Sequence, residues 1–424
     1  MTAIVLLLIF ALTICLSIPI AAGLGIATSV TLALDKIPLF MMVQRMMTQI
    51  NTFTVMAILF FMLSGEIMCK GTMTEKLINW AEALVGHIRG GLAISGGVAA
   101  GFFSALSGSS AATCASIGTI MIGKMENRGY PRGYSSGVIA ASGITGIVIP
   151  PSVTLVVYGV VTGTSVRKLF AAGVAPGILM SASMCVLSYF ISKKNNFGEI
   201  QQFSLKKLWN ATKDGIFVLI MPVIILGGIY GGAFTPNEAS VIAAVYAYIL
   251  TKFKDRALPW NVMKEVLLKS IVNTAVVLFV MQTAAGFSWV LTNARVPHML
   301  GELSASLGDS KIVFLILVNV LLLITGCLIT GSGAVSILAP ILLPVAVSYG
   351  IDPIFLGALM IVNLAIGYVT PPVGVDLYIA GSIGKVSVEE VIKNVMPYLI
   401  LLLILLVFIT YVPAFTMFLP NMMK

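Results

Sequence analysis

Charge is scarce in this chain. Only 10% of its 424 residues are charged, against 58% hydrophobic, and the mean hydropathy of +1.05 lies far outside the range of a soluble globular domain. Histidine is scarcer still: His87 and His298 fall in amphipathic connecting stretches, away from any cluster that could hold a catalytic metal. The five cysteines (Cys15, Cys69, Cys114, Cys185, Cys327) are scattered and mostly sit inside apolar runs, which argues against a disulfide framework or a metal site. No soluble domain, phosphate-binding loop or low-complexity tail is present. An enzyme would need clustered His, Asp, Glu or Cys at membrane depth, and the sequence offers almost only Asp376 there. The excess of 25 Lys+Arg over 16 Asp+Glu, a formal +9, is a topology signal rather than a nucleic-acid footprint.

What is present is apolar sequence in long runs. Runs of 18 or more residues recur, each long enough to cross a hydrocarbon core of about 30 Å as a helix. The fold class is therefore all-α integral membrane, with membrane lipid as its surroundings. Met1 to Leu34 lacks a basic n-region and reads as a retained first helix. The basic connections 124–132, 193–213 and 252–269 are expected on the cytoplasmic side, and 231–237 and 349–353, which lack Lys and Arg, on the outer side. Spans over 134–162, 169–192, 215–230, 238–251 and 270–293 then alternate consistently. Lys36 and Arg45 are the exceptions, because they fall on the outer side.

Two segments do not fit as simple spans. Residues 90–123 leave and return to the cytoplasmic side, and residues 312–348 do the same from outside, turning at Thr330 to Gly333. Both read as re-entrant helical hairpins. Irregular backbone at membrane depth is tolerated only where it is buried in protein or lines a cavity, so the tips belong to a site.

The stretch GYVTPPVGVDLY at 367–378 has a twin, GIVIPPSVTLVVY, 221 residues earlier. Without gaps, Gly146, Val148, Pro150, Pro151, Gly163, Val174 and Pro176 pair with Gly367, Val369, Pro371, Pro372, Gly384, Val395 and Pro397. The tips correspond too, SGSSA at 107–111 with TGSGA at 330–334. One Pro-Pro helix is commonly just a kinked span. Two copies, each following a hairpin tip and entering from opposite faces, make an inverted-topology repeat of the secondary-transporter kind, in which one set of half-helices can rock or slide relative to the rest.

Each Pro-Pro pair removes two backbone donors and frees carbonyls in the preceding turn, Gly146 to Ile149 and Gly367 to Thr370. The tips free others, around Ser104 to Ser107 and Gly326 to Thr330. Converging carbonyl and hydroxyl oxygens suit a hard cation such as Na⁺, and two copies predict at least two sites. Helices starting at Ser109/Ser110, Gly333, Pro151 and Pro372 would turn positive dipole ends towards an anionic substrate. No Lys or Arg lies in the broken helices.

At SGSSAATCASIGTIMI, SGITGIVIPPS, TGSGAVSILAPILLP and IGYVTPPVGVDLYIA the chain resembles the large membrane subunit of tripartite ATP-independent periplasmic (TRAP) transporters, with an overall likeness that leans towards the sialic-acid members. The resemblance implies an elevator-type secondary transporter for Na⁺-driven uptake of an organic acid across a bacterial inner membrane, with a small helical membrane subunit and a periplasmic substrate-binding protein as partners. It places one Na⁺ at Ser104, Ser107, Gly146, Val148 and Pro150, and a second at Gly326, Gly331, Gly367 and Thr370. Substrate would lie near Ser109, Ser110, Ser152 and Ser332. Asp376 departs from the family, which more often shows Asn. That leaves a substrate or proton role and a solvated vestibule both open.

The division implied is scaffold and amphipathic arm over 1–89, a first transport repeat over 90–192 (hairpin 90–123, broken helix 134–162), further scaffold over 193–311 and a second repeat over 312–424 (hairpin 312–348, broken helix 354–384). Two other classes compete. An autonomous Na⁺-coupled dicarboxylate or citrate carrier would need no binding protein, and a channel would use the same carbonyls as a filter but lacks a continuous pore. Among smaller features, Glu66 stands four residues before Lys70, the spacing of a pair on one helix. Gly97 and Gly101 form a GxxxG helix-contact motif. Residues 74–90 read as an interfacial amphipathic helix.

Overall fold

A computed structural model describes residues 2–199, 202–306 and 310–423. Every regular element among these residues is helical, and eight helices are long and apolar enough to cross a membrane. They include Val166–Asn195, Leu205–Tyr230 and Trp260–Asn293, which match the expected spans. The amino-terminal apolar run does not form the single helix expected. It folds as Thr2–Cys15 and Ile20–Leu34 packed against each other, because Ser17 adopts a left-handed φ of 58° and Pro19 opens the second helix.

The region 90–126 forms two helices, Gly91–Ser107 and Ser110–Glu126, joined by Gly108 and Ser109 alone. Gly108 has a φ of 62°, and a Cβ there would lie 2.8 Å from the carbonyl oxygen of Pro151, so only glycine fits the turn. Ser109 caps the second helix, its hydroxyl accepting the Ala112 N–H at 3.4 Å. The later counterpart is Lys311–Leu328 and Gly331–Ser348, joined at Ile329 and Thr330.

Both Pro-Pro stretches interrupt a helix, and both Pro-Pro bonds are cis. In the first copy Arg132–Gly143 runs on through Thr145–Val148, and Val153–Thr162 begins after the break. In the second, Pro353–Gly367 is followed by Val375–Gly384. The restarts lie two or three residues beyond the expected Pro151 and Pro372. Ser152 supplies the cap in the first copy, accepting the Leu155 N–H at 3.4 Å, and Gly374, at a φ of 47°, turns the chain in the second. The tip helix expected from Gly333 starts at Gly331, directly after Thr330.

Burial separates two populations. The window within Arg132–Thr162 is 83% buried, whereas those within Leu205–Tyr230 and Val388–Tyr411 are 33% buried and leave broad apolar faces for lipid. The first tip and first broken helix therefore lie inside, whereas the second tip and break are partly exposed at Leu328, Thr330, Pro372 and Val373; the two units interdigitate across the repeats. Ser110–Glu126 packs on Val375–Gly384, Arg132–Gly143 on Val388–Tyr411, and Val153–Thr162 on Gly331–Ser348. Gly97 and Gly101 behave as a contact motif: a Cβ on either would meet Cys185 Sγ at 2.8 Å or Ser181 Oγ at 2.9 Å.

Charges are tied off along the connecting stretches. Lys70 pairs with Glu265 at 2.7 Å and Glu66 with Lys269 at 2.8 Å. The expected Glu66 to Lys70 pair is thus replaced by two pairs crossing between Met56–Lys70 and Trp260–Asn293, each of which gives a carboxylate a partner on a neighbouring helix. The amphipathic helix is shorter than 74–90, spanning Met73–Val85, because Gly86 and the left-handed Gly90 end it. It is held by Lys76 to Asp255 at 2.5 Å and by Lys124 to Glu82 at 3.0 Å.

Candidate functional site

Around the first tip, hydroxyl and carbonyl oxygens gather against the first break. The Ser104 hydroxyl donates to the Ala100 carbonyl at 2.6 Å and lies 2.8 Å from the Thr145 hydroxyl, which donates to the Ser142 carbonyl at 2.7 Å. The Ser107 and Thr113 hydroxyls are 2.9 Å apart, and Thr113 donates to the Ser109 carbonyl at 2.9 Å. Gly146 closes the cluster because a side chain there would collide with the Ser109 carbonyl and meet Thr113 Oγ1 at 2.7 Å. Ser104, Ser107 and Gly146 are thus gathered near one tip, whereas the Val148 carbonyl and the Pro150 ring lie against Gly173. Thr113 and Thr145, absent from the sequence-based set, supply further oxygens. An all-oxygen, carboxylate-free set of this kind fits a hard monovalent cation.

The second tip meets the second break through different contacts. Gly367 packs on Gly326, and the Thr370 hydroxyl donates to the Ile366 carbonyl at 2.8 Å. The Gly331 N–H donates to the Tyr368 hydroxyl at 2.5 Å, and the Gly374 N–H to the Cys327 carbonyl at 3.4 Å. Tyr368 was missed in the sequence because it occupies the position of Ile147 in the first copy, where nothing polar stands.

Between the tips is a cavity of 170 Å³ whose polar lining comes from Ser109, Ser110, Thr154, Thr330, Ser332 and Tyr368. Four helices begin at its wall: Ser110–Glu126, Val153–Thr162, Gly331–Ser348 and Val375–Gly384. Each first turn brings the positive end of a dipole to the wall, with several of its N–H groups already engaged: Ala112 by Ser109, Leu155 by Ser152, Gly331 by the Tyr368 hydroxyl and Asp376 by the Tyr368 carbonyl. Among the described residues no Lys or Arg lines the cavity.

Of the expected substrate residues, Ser109, Ser110 and Ser332 line this cavity. Ser152 and Asp376 do not. The Ser152 hydroxyl is buried and donates to the Ile147 carbonyl at 2.6 Å, so it serves the break itself. Asp376 has no exposed surface, which removes the solvated vestibule as an explanation. One of its carboxylate oxygens accepts the Ser110 hydroxyl, and the other has no hydrogen-bond partner among the described residues. Asp376 therefore stands directly behind the cavity wall and links the second break to the first tip.

A multi-span helical protein in which two tip-and-break units enclose an oxygen-lined cavity has the architecture of solute carriers. The family model for the "Tripartite ATP-independent periplasmic transporter, DctM component" matches residues 4–415, and the chain belongs to that family of TRAP transporter large permeases. It is 42% identical to the C4-dicarboxylate TRAP transporter large permease protein DctM of Pseudomonas aeruginosa, over 87% of this chain and 86% of that one. It is 37% identical to the sialic acid TRAP transporter large permease protein SiaM of Vibrio cholerae, over 89% of each. With the isethionate TRAP transporter permease protein DctMQ of Oleidesulfovibrio alaskensis it shares 40% identity over 96% of this chain, which spans 65% of that relative's length. Among solved structures, the Alcanivorax borkumensis YdaH transporter has the same fold at a TM-score of 0.61, with 13% identity and coverage of 88% and 87%. The sialic-acid type is not singled out by these likenesses.

Proposed function

We propose that this chain is the permease through which an organic acid enters a bacterial cell across the inner membrane, coupled to Na⁺. The observation that carries this reading is the cavity walled by four helix beginnings and lacking any basic side chain. A carboxylate placed there is held by N–H groups, hydroxyls and dipoles, in surroundings where those interactions are poorly screened. Such a cavity gains much of its anion affinity only when cations occupy the flanking oxygen clusters, which supports coupling: acid and Na⁺ favour the same closed state. One ion would sit at Ser104, Ser107 and Gly146 with Val148 and Pro150, the other at Gly326, Gly331, Gly367 and Thr370.

On this reading the two helix pairs are re-entrant hairpins on opposite faces. With the broken helices they form a transport unit (90–192 and 312–424) that slides as an elevator against a scaffold of 1–89 and 193–311. The small cavity suits a C4 acid in the described state, and a nine-carbon sialic acid needs the tips to part further. The relatives, named for C4-dicarboxylates, sialic acid and isethionate, support the organic-acid class. Family membership supports a small membrane subunit and a periplasmic binding protein as partners.

The test is uptake into proteoliposomes of labelled succinate, N-acetylneuraminate and isethionate, with the small subunit and a cognate binding protein present or omitted, under inward Na⁺ or K⁺ gradients. Uptake of one acid that requires Na⁺ and both partners is expected. Na⁺-dependent uptake by the chain alone would replace this reading with the autonomous carrier. Wild-type rates in both Ser107→Ala and Ser332→Ala would remove the site from the tips.

A further inference from the structure

A second cavity, of 230 Å³, borders the same three helices as the first: Val153–Thr162, Trp260–Asn293 and Gly331–Ser348. On each helix it takes residues later in the sequence. The inner cavity touches Val153, Val277 and Ser332, whereas the second touches Val161, Ser288 and Ser336. At about 1.5 Å of rise per residue these offsets place it roughly 6–16 Å further along one direction, towards the carboxyl ends of all three helices. In the orientation read from the basic loops, that direction leads out of the cell.

The remaining wall is the amphipathic helix Phe40–Ile50, which has no buried residue and lies across the groove. It contributes Arg45, the one charged side chain in the lining. The guanidinium carbon lies 5.8 Å from the centre of the Trp289 ring, a cation–π contact that steadies the group without neutralising it. Among the described residues Arg45 has no carboxylate partner, and neither the Gln49 amide nor the Ser288 hydroxyl is engaged in a side-chain hydrogen bond. An arginine on the outer side runs against the usual distribution of basic residues. A guanidinium fork beside free amide and hydroxyl groups matches a carboxylate.

We propose that Arg45, with Gln49 and Ser288, forms an outer docking site for the carboxylate of the cargo acid, one step before the inner cavity. This rests on the transport reading above. Arg45 raises the local concentration of the anion and orients it. The inner cavity, which has no fixed positive side chain, then takes the acid when Na⁺ is bound. Separating the two keeps a permanent cation out of the inner site, where it would compete with Na⁺.

Two measurements test it. In the uptake assay above, Arg45→Gln should raise the half-saturating acid concentration roughly threefold to tenfold while leaving the maximal rate within about twofold, with weaker dependence on ionic strength. Arg45→Lys should fall between, and Lys36→Gln, which removes an outer charge away from the cavity, should behave as wild type. An unchanged half-saturation in Arg45→Gln, or an equal rise in Lys36→Gln, overturns the proposal. The second measurement omits the binding protein and needs no transport. In a Cys15→Ser background, Gln49→Cys is labelled with an anionic sulfonatoethyl or a cationic trimethylammonioethyl methanethiosulfonate. The anionic-to-cationic rate ratio should drop severalfold when Arg45→Gln is added, and succinate should slow labelling only while Arg45 is present. A ratio indifferent to Arg45 overturns the docking site even if uptake proceeds. Absence of uptake alongside an Arg45-dependent ratio counts against the transport reading instead.

Discussion

Gly367 rests directly on Gly326, backbone against backbone. A Cβ on Gly367 would lie 2.5 Å from the Gly326 carbonyl carbon and 2.7 Å from its Cα. The second break is therefore pinned to the second tip by the absence of two side chains, as Gly146 pins the first break to Ser109.

Gly367→Ala should therefore cost about 1–3 kcal/mol of stability through overpacking and abolish uptake. Gly123→Ala is the contrast: no atom lies within 4 Å of its added methyl, and it should be neutral or stabilising by up to about 1 kcal/mol. Thermal melts in detergent would separate the two, and matching melting temperatures would refute the close-contact argument.

Tyr368→Phe removes the acceptor of the Gly331 N–H and leaves a buried donor unpaired at the start of Gly331–Ser348. The expected cost is about 1–3 kcal/mol, with a marked rise in the Na⁺ concentration needed for uptake. A Na⁺ titration unchanged from wild type would place the second cation elsewhere.

Asp376→Asn keeps an acceptor for the Ser110 hydroxyl and removes a carboxylate that has no basic partner among the described residues. Such a group is costly to ionise at membrane depth. The variant should fold normally and retain at least half of wild-type uptake, whereas Asp376→Leu, which strands Ser110, should lose most of it. Inactivity of the Asn variant at every pH would show that transport requires the carboxyl group itself.

Asp255 brings a pH dependence to the connecting stretch. Its side chain is 3% exposed. Burial pushes the carboxyl up, but hydrogen bonds from Lys76 at 2.5 Å and the Thr72 N–H at 3.0 Å outweigh this and hold it below its ordinary value of 3.8. A carboxyl lowered on folding stabilises the protein above that ordinary value, and the contribution fades as pH falls through the lower, folded value. Wild-type melting temperature should thus drop on acidification below about pH 4, towards that of Asp255→Asn. Parallel curves for the two proteins down to pH 3 would show that the pair contributes nothing.

The tips, the breaks and the long spans were legible in the sequence because each leaves a compositional mark: Gly-Ser runs, Pro-Pro pairs and uninterrupted apolar stretches. Ser109, Ser110 and Ser332 were implied by the family resemblance and do line the cavity. Contacts that depend on the facing helix were not legible. Thr113 and Thr145 look like ordinary helix threonines until Gly146 brings them to the tip. Ser152 reads as a substrate hydroxyl, yet it is consumed in closing the break. The amino-terminal helix was misjudged because one left-handed serine and one proline in an apolar run resemble a kink as much as a turn.

The bond between Ser110 and Asp376 also bears on how the protein is made. Its partners are separated by 266 positions, so during synthesis at about 5–20 residues per second the first tip waits on the order of 10–50 s before its partner emerges. Through that interval the helix Ser110–Glu126 lacks the Val375–Gly384 surface it finally packs on. The half-made protein must shelter a polar loop from lipid with whatever is at hand, either its own neighbouring helices or the insertion machinery.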